Sequence, residues 1–412
     1  MIKRPRGTED IYGKNYDKYK FLQDIMFSAG HKFGFRGIVT PIFEHQELFL
    51  RTVGEETDIV QKEMYTFNDK SDRAMALRPE ATAGVIRAYI ENGIFNDGAP
   101  TKFMYFLPLY RYENVQKGRQ REFNQFGVEL LQSPNPIADY EVIRLGITIL
   151  RDLGIARESY TLKLNSIGCE ACRTEYKKAL NEYMEEHLEE YCDDSKRRKE
   201  TNILRVVDCK IEKCKKLNEN APSILDYLCN DCKDHFDELL IYLEDEELDY
   251  EIDSNIVRGL DYYNRTVFEI QDSNGTAVLG GGRYDRLSET IGGKETPAVG
   301  FAIGIERLMT MVELPKEKEV RADFYIISNM ADENKQITNL IAKNLRRKGH
   351  MVEIDLLNRS FNAQMKHANK LKTKVAIIIG EDEVANNEVT IKNMDTGEES
   401  KVELEVFLES IG

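Results

Sequence analysis

Between positions 258 and 269 the chain reads Arg258-Gly259-Leu260-Asp261-Tyr262-Tyr263-Asn264-Arg265-Thr266-Val267-Phe268-Glu269. A fixed cation, a carboxylate and two phenols stand beside a glycine. This set suits a small, polar zwitterion held against a phosphate. A guanidinium fork matches carboxylate and phosphate oxygens, and glycine lets backbone and ligand approach closely.

Four further stretches carry the same kind of chemistry. Arg111 and Glu113, followed after a polar loop by Gln125, Gly127 and Glu129, read as two strands. Alternation puts Arg111 with Glu113 on one face, and Gln125, Gly127 and Glu129 on one face of the next strand. Cation, carboxylate and amide suit a nucleotide phosphate and an adenine edge; a charged, solvated hairpin is the alternative. Val299 to Leu308 is an apolar run with glycines that ends in Glu306-Arg307. Its arginine fits a phosphate or a purely structural ion pair. In Arg78-Pro79-Glu80-Ala81-Thr82-Ala83-Gly84, Glu80 and Thr82 start a helix and suit a substrate ammonium or simple N-terminal capping. Leu279-Gly280-Gly281-Gly282-Arg283-Tyr284-Asp285 reads as a glycine-rich turn. It has no Gly-Lys-Ser/Thr phosphate loop, and no dinucleotide fingerprint occurs.

Seven cysteines form a separate group. Cys169-Glu170-Ala171-Cys172 and Cys229-Asn230-Asp231-Cys232 are two pairs at the spacing of tetrahedral zinc ligands, though far apart in sequence. They flank the segment 168–250, so one structural zinc ion would pin its base; reduced, uncoordinated thiols are the alternative. Cys192, Cys209 and Cys214 remain as a different site or as free thiols.

The elements that must position these residues follow from periodicity. Tyr16 to Phe33 reads as an amphipathic helix with Tyr19, Leu22, Ile25, Met26 and Ala29 on one stripe. Gly37-Ile38-Val39-Thr40-Pro41 reads as a strand ending at proline, and Phe103–Tyr110 and Phe123–Leu131 as strands around a polar loop. Residues 168–250 switch to charged helical patterns. A linker from Pro315 to Glu319 then precedes alternating strands and helices. The expected division is 1–167, 168–250, 251–318 and 321–412.

The composition bounds the function. The net charge is −15, from 57 basic and 72 acidic residues. That argues against a general nucleic-acid binder and makes DNA an unexpected partner. Local basic patches, such as Gln116 to Arg121, still allow one RNA to be read. No apolar run approaches the roughly 18 residues of a membrane span. The start, Met1-Ile2-Lys3-Arg4-Pro5-Arg6-Gly7, lacks a secretory pattern. A cytoplasmic enzyme without a membrane partner is expected.

In chain order, Pro41, Arg111 to Glu129, Arg258 to Glu269, Gly280 to Asp285 and Gly300 to Arg307 resemble motifs 1, 2 and 3 of class II aminoacyl-tRNA synthetases. Both histidine-specific signatures lie between motifs 2 and 3, so the likeness is to histidyl-tRNA synthetases. Pro5-Arg6-Gly7-Thr8-Glu9-Asp10 and the stretch from Arg359 to Glu383 share it, so it spans nearly the whole chain. The resemblance implies an α/β (α+β) fold: an antiparallel catalytic sheet flanked by helices, a helical insertion and a C-terminal α/β anticodon-binding domain. It implies histidine, ATP with Mg²⁺ and tRNA(His) as ligands, and a homodimer.

Residue roles also come from the resemblance. Arg111 and Arg307 would hold the α- and γ-phosphates of ATP, and Glu113 the adenine. Glu80, Thr82 and Gln125 would take the histidine ammonium. Glu129 and Tyr263 would read the imidazole, with Tyr262 and Tyr284 lining that pocket. Arg258 would sit by the substrate carboxylate and α-phosphate. Lys117, Arg119 and Arg121 would meet tRNA. Asn114-Val115 departs from a frequent Arg-Pro, and Asn124 from a frequent His. Non-catalytic paralogues that regulate histidine biosynthesis share the core but tend to lose catalytic positions and the anticodon domain. Arg111, Arg258, Arg307 and the α/β tail count against that reading.

Overall fold

A computed structural model describes all residues except 55–56, 117, 316–319, 329–331 and 412. The predicted linker falls largely outside the described residues, as does Lys117. The chain forms two compact units, Met1–Leu314 and Pro315–Gly412.

Among the described residues, the first unit holds an eight-stranded sheet. Its order is Arg36–Gly37, Thr101–Tyr110, Glu122–Leu131, Ala298–Gly304, Ala277–Arg283, Asn264–Asp272, Tyr160–Ser166 and Glu251–Ile252. The six inner strands pair antiparallel, and each two-residue edge strand pairs parallel. Such short parallel edges leave little free ladder. Helices Lys14–Lys32 and Pro136–Asp152 cover one face with an apolar stripe that includes Leu22, Met26, Val142 and Leu145. These meet Phe126, Val128, Leu279 and Phe301 from the strands. Gly146 permits the approach, since a β-carbon there would lie 2.7 Å from Leu279 Cδ1.

Between strands Tyr160–Ser166 and Glu251–Ile252 lie helices Glu170–Glu186, Asp193–Thr201, Glu212–Asn218 and Asn230–Asp245. Tyr176, Leu180, Met184, Tyr191 and Val206 form a small core of their own. Helix Asn230–Asp245 instead sends Phe236, Leu239 and Leu243 into the main core.

The second unit is a five-stranded mixed sheet. Val352–Ile354, Phe324–Ser328 and Val375–Ile379 run parallel, and Glu388–Asn393 and Glu399–Glu403 add antiparallel. Among the described residues no helix is long and apolar enough to cross a membrane.

Three local expectations need correction. The strand expected at Gly37–Pro41 shrinks to Arg36–Gly37, because it pairs only at Phe103 and Met104 before the chain turns away. Arg111 and Glu113 lie just beyond strand Thr101–Tyr110, so strand alternation does not set their direction. The stretch Leu279–Arg283 is no turn but part of a central strand, flanked on both sides by antiparallel neighbours. Its glycines serve close packing there.

Candidate active site

Strand Glu122–Leu131 alternates sharply. Phe126, Val128 and Leu130 enter the helix-covered core, while Gln125 and Glu129 face a cavity of about 240 Å³ on the other side of the sheet. Ala277–Arg283 and Ala298–Gly304 supply the floor, where Gly280 and Gly300 lack side chains that would fill it. A β-carbon at Gly300 would collide with Glu129 and with the Val128 carbonyl.

Glu129, on the cavity lining, is 1% exposed. Its carboxyl group accepts from Thr82 Oγ1 at 2.8 Å, from Tyr105 Oη at 3.2 Å and from Tyr284 Oη. Burial pushes this group up to about 8, although the Tyr284 and Thr82 hydroxyls pull the other way. Tyr262, Tyr263 and Tyr284 pack edge to face or tilted, with centroids 4.7–6.2 Å apart. They wall the pocket around Glu129, with Tyr284 behind the carboxyl group rather than on the cavity surface.

Glu80 also lines the cavity, at the start of helix Thr82–Glu91. Its carboxylate accepts from the Thr82 and Ala83 backbone N–H groups at 2.7 and 2.9 Å, so the capping role is present. Burial raises its pKa against those bonds.

Four guanidinium groups stand at the cavity, those of Arg111, Arg119, Arg258 and Arg307. Arg258 ion-pairs with Glu269 and lies over Gly280, whose missing side chain makes the room. Its Nε is buried without a hydrogen-bond partner. Arg111 donates through Nε to the Pro79 carbonyl at 2.8 Å and sits 5.3 Å from the Phe123 ring. Arg307 donates to the Ala277 carbonyl at 2.6 Å. Burial and the neighbouring Arg119 charge lower its pKa. Glu113 faces Arg119 at 3.4 Å and Arg111 at 3.9 Å.

The cavity therefore gathers Glu80, Thr82, Arg111, Glu113, Gln125, Glu129, Arg258, Tyr262, Tyr263 and Arg307, and it adds Arg119. Arg121 is not on its lining; its guanidinium stacks 3.7 Å from the Tyr112 ring. Sequence reasoning missed Tyr105 on the lining, and gave no role to Glu269, which pairs with Arg258, or to Asn124, which lies outside the lining. Asn124 donates to Glu306 from its backbone and side-chain nitrogens at 2.9 and 3.0 Å. Its side-chain oxygen accepts from Tyr19 at 3.1 Å. Glu269, opposite Gly280 in strand register, could have been suspected from its place at the end of the Arg258 segment.

Arg283, within the glycine-rich segment, lies apart from this chemistry. It is fully buried and paired with Asp139. Burial opposes ionisation there, but the guanidinium charge holds the Asp139 carboxyl at about 2.

The paired cysteines converge at the base of the helical segment. Cys169 Sγ lies 3.6 Å from Cys172 Sγ and 3.9 Å from Cys229 Sγ, and all four thiols, with Cys232, lie within 4.8 Å of one another. The Cys229 backbone N–H donates to Cys172 Sγ at 3.1 Å.

Comparison with known proteins narrows what this geometry serves. A family model for histidyl-tRNA synthetase matches residues 7–308, and one for an anticodon binding domain matches residues 323–412. The histidine–tRNA ligase of Caldanaerobacter subterraneus subsp. tengcongensis is 47% identical over 411 residues, 98% of this chain and 97% of that protein. That of Acetivibrio thermocellus is 45% identical over 417 residues, 99% of each. The crystal structure of apo S. aureus histidyl-tRNA synthetase matches with a TM-score of 0.83 at 35% identity, covering 100% of both chains. Full-length identity of this order, over both units, means that this chain belongs to the histidyl-tRNA synthetase family.

Proposed function

We propose a division of labour for the family reaction. The chain catalyses histidine–tRNA ligation. A histidine carboxylate oxygen attacks the ATP α-phosphorus, the bond to the β-phosphate breaks, and pyrophosphate leaves. The terminal ribose hydroxyl of tRNA(His) then attacks the adenylate carbonyl, and AMP departs. The substrate carboxylate is the nucleophile of the first step, so no protein nucleophile is required.

Negative charge gathers at the α-phosphorus, and preorganised cations lower that barrier. Arg258 takes the substrate carboxylate and α-phosphate; its unpartnered buried Nε supports this role. Arg111 holds the α-phosphate and Arg307 the γ-phosphate, with Glu113 at the adenine. Magnesium enters with the nucleotide as Mg-ATP. Glu129 and Tyr263 read the imidazole nitrogens, Tyr284 holds Glu129 in place, and Tyr262 completes the wall. Glu80, Thr82 and Gln125 take the ammonium. A site of buried hydroxyls and carboxyls rejects an apolar ring by leaving those groups unpaired. Lys117, Arg119 and Arg121 meet the tRNA acceptor end.

Residues 1–167 and 251–318 form the catalytic core, 168–250 the insertion and 321–412 the anticodon-binding domain. The protein works in the cytoplasm as a homodimer. Cys169, Cys172, Cys229 and Cys232 hold a structural zinc ion. Their all-sulfur donor set and mutual spacing fit a tetrahedral site, and the backbone donor to Cys172 is the outer support such thiolates take.

The observation that carries this reading is the convergence of Arg111, Arg258 and Arg307 on one cavity that Glu129, held among hydroxyls, also lines. Charging of a tRNA(His) transcript with labelled histidine tests it. Arg111→Ala and Arg307→Ala should each lose on the order of 10²–10³ in kcat. Wild-type charging rates in both variants would refute the assignment, and sedimentation of a monomer would refute the dimer.

A further inference from the structure

The helical insertion holds a second thiol cluster that neither the reaction nor the paired cysteines use. Cys192 is the N-cap of helix Asp193–Thr201, Cys209 follows the turn Ile203–Val206, and Cys214 lies in helix Glu212–Asn218. Their sulfur atoms all lie within 4.8 Å of one another. Cys192 and Cys209 are 3.8 Å apart, Sγ to Sγ. Zinc–thiolate bonds of about 2.3 Å at tetrahedral angles set sulfurs about 3.8 Å apart. A disulfide would need about 2.05 Å.

Backbone N–H groups point at two of the three sulfurs. Cys214 Sγ accepts the Cys192 backbone N–H at 3.4 Å, and Cys192 Sγ accepts the Ser195 N–H at 3.4 Å. Donors of this kind orient and stabilise metal-bound sulfur.

Ser195 supplies a second, independent observation. It is fully buried, with Oγ 3.3 Å from Cys192 Sγ and 3.8 Å from Cys214 Sγ. The four-cysteine site is built twice from one step: a cysteine caps a helix and a second follows three residues later. Cys169 caps Glu170–Glu186 and Cys229 caps Asn230–Asp245. Cys192-Asp193-Asp194-Ser195 repeats that step, with serine in place of the second cysteine.

Packing gives the reason for a site here. Helix Asp193–Thr201 has Ser195 as its one buried residue. A nine-residue helix that polar has almost no apolar face with which to dock. A metal crosslink would fix it to Cys209 and Cys214.

We infer that Cys192, Cys209 and Cys214 bind a zinc ion, with the Ser195 hydroxyl at its fourth, oxygen-bearing corner. Binding releases the thiol protons to solvent and leaves the sulfurs unoxidised. This is independent of the reaction and of the other cysteine site.

Elemental analysis of the purified, untagged full-length protein tests it. Cys169→Ala/Cys172→Ala leaves the four-cysteine site only two thiolates, fewer than the three thiolates and a hydroxyl of the second cluster, so the metal that remains reports the second cluster alone. One zinc per chain should persist in Cys169→Ala/Cys172→Ala and be lost when Cys209→Ala/Cys214→Ala is added. No zinc in Cys169→Ala/Cys172→Ala while it stays folded, or a Cys192–Cys209 disulfide found by mass spectrometry, would overturn the inference. Ser195→Cys keeps a ligand at every corner and guards against misfolding of the Cys209/Cys214 variant. With Cys169→Ala/Cys172→Ala and bound cobalt, it should raise the sulfur-to-metal charge-transfer band by about a third, as three thiolates become four. An unchanged band would remove Ser195 from the site.

Discussion

Gly280→Ala isolates the placement of Arg258 from its presence. A β-carbon at Gly280 would stand 2.6 Å from Arg258 Cζ, with both terminal nitrogens as its other nearest atoms. Carbon–carbon contacts settle at roughly 3.5–4.0 Å. The guanidinium must therefore recoil by about 1 Å, and as the free end of a flexible side chain it can. A 1 Å displacement of a positioning group costs on the order of 10² in rate, or about 2.7 kcal/mol of barrier. The fold should hardly change, because no backbone atom is among the three nearest. Gly281→Ala is the control: its β-carbon would meet the Gly300 carbonyl oxygen and lie 2.6 Å from Phe268 Cζ. It should destabilise by about 1–3 kcal/mol through overpacking. Histidine-dependent ATP–pyrophosphate exchange, read beside a thermal melt, separates the two. Gly280→Ala should keep its Tm and lose about 10² in exchange. Exchange within twofold of wild type, or a melting loss equal to that of Gly281→Ala, would refute the reasoning.

Three other outcomes follow from the buried charges and thiols. Glu129 keeps its proton up to about 8 in the fold but loses it in the usual carboxylate range when unfolded. The folded state thus binds more protons between those limits, and stability falls as pH rises through that window, by up to about 1.4 kcal/mol per pH unit. Glu129→Gln should flatten that slope in denaturant titrations at several pH values; an unchanged slope contradicts the assignment. Arg283→Ala leaves Asp139 charged and buried, and should cost about 3–5 kcal/mol; a Tm within a degree or two of wild type would show that the pair is dispensable. Chelator treatment should lower the melting temperature of the wild type and leave Cys169→Ala/Cys172→Ala less affected. Equal melts with and without chelator would dismiss structural metal.

Much of the cavity was legible because its chemistry sits in compact, unusual strings. Arg258 to Glu269 puts charge and phenols together where no amphipathic pattern calls for them, and the structure lays Arg258, Tyr262 and Tyr263 on one cavity. The glycine run misled, since consecutive glycines normally signal a turn. In strand Ala277–Arg283 they answer instead to Arg258 and to neighbouring strands, contacts that depend on residues distant in sequence. Arg283 is the same lesson. Its partner Asp139 lies 144 residues earlier, so nothing local marks it as a core cation. Arg111 and Glu113 looked like alternating strand residues, but the ladder ends at Tyr110 and their directions follow from Pro79 and Arg119. Asn124 reads as a departure from a familiar pattern, and only the structure shows it holding Glu306 and Tyr19 together.

The central claim is that Arg258 is the fixed cation at a histidine-specific adenylating site. The most direct measurement is ATP–pyrophosphate exchange with each of the twenty amino acids, in wild type, Arg258→Ala and Arg258→Lys. Exchange with histidine alone, reduced by on the order of 10²–10³ in Arg258→Ala and only partly restored by lysine, is the predicted result. Exchange with other amino acids, or undiminished exchange in a folded Arg258→Ala protein, would contradict it.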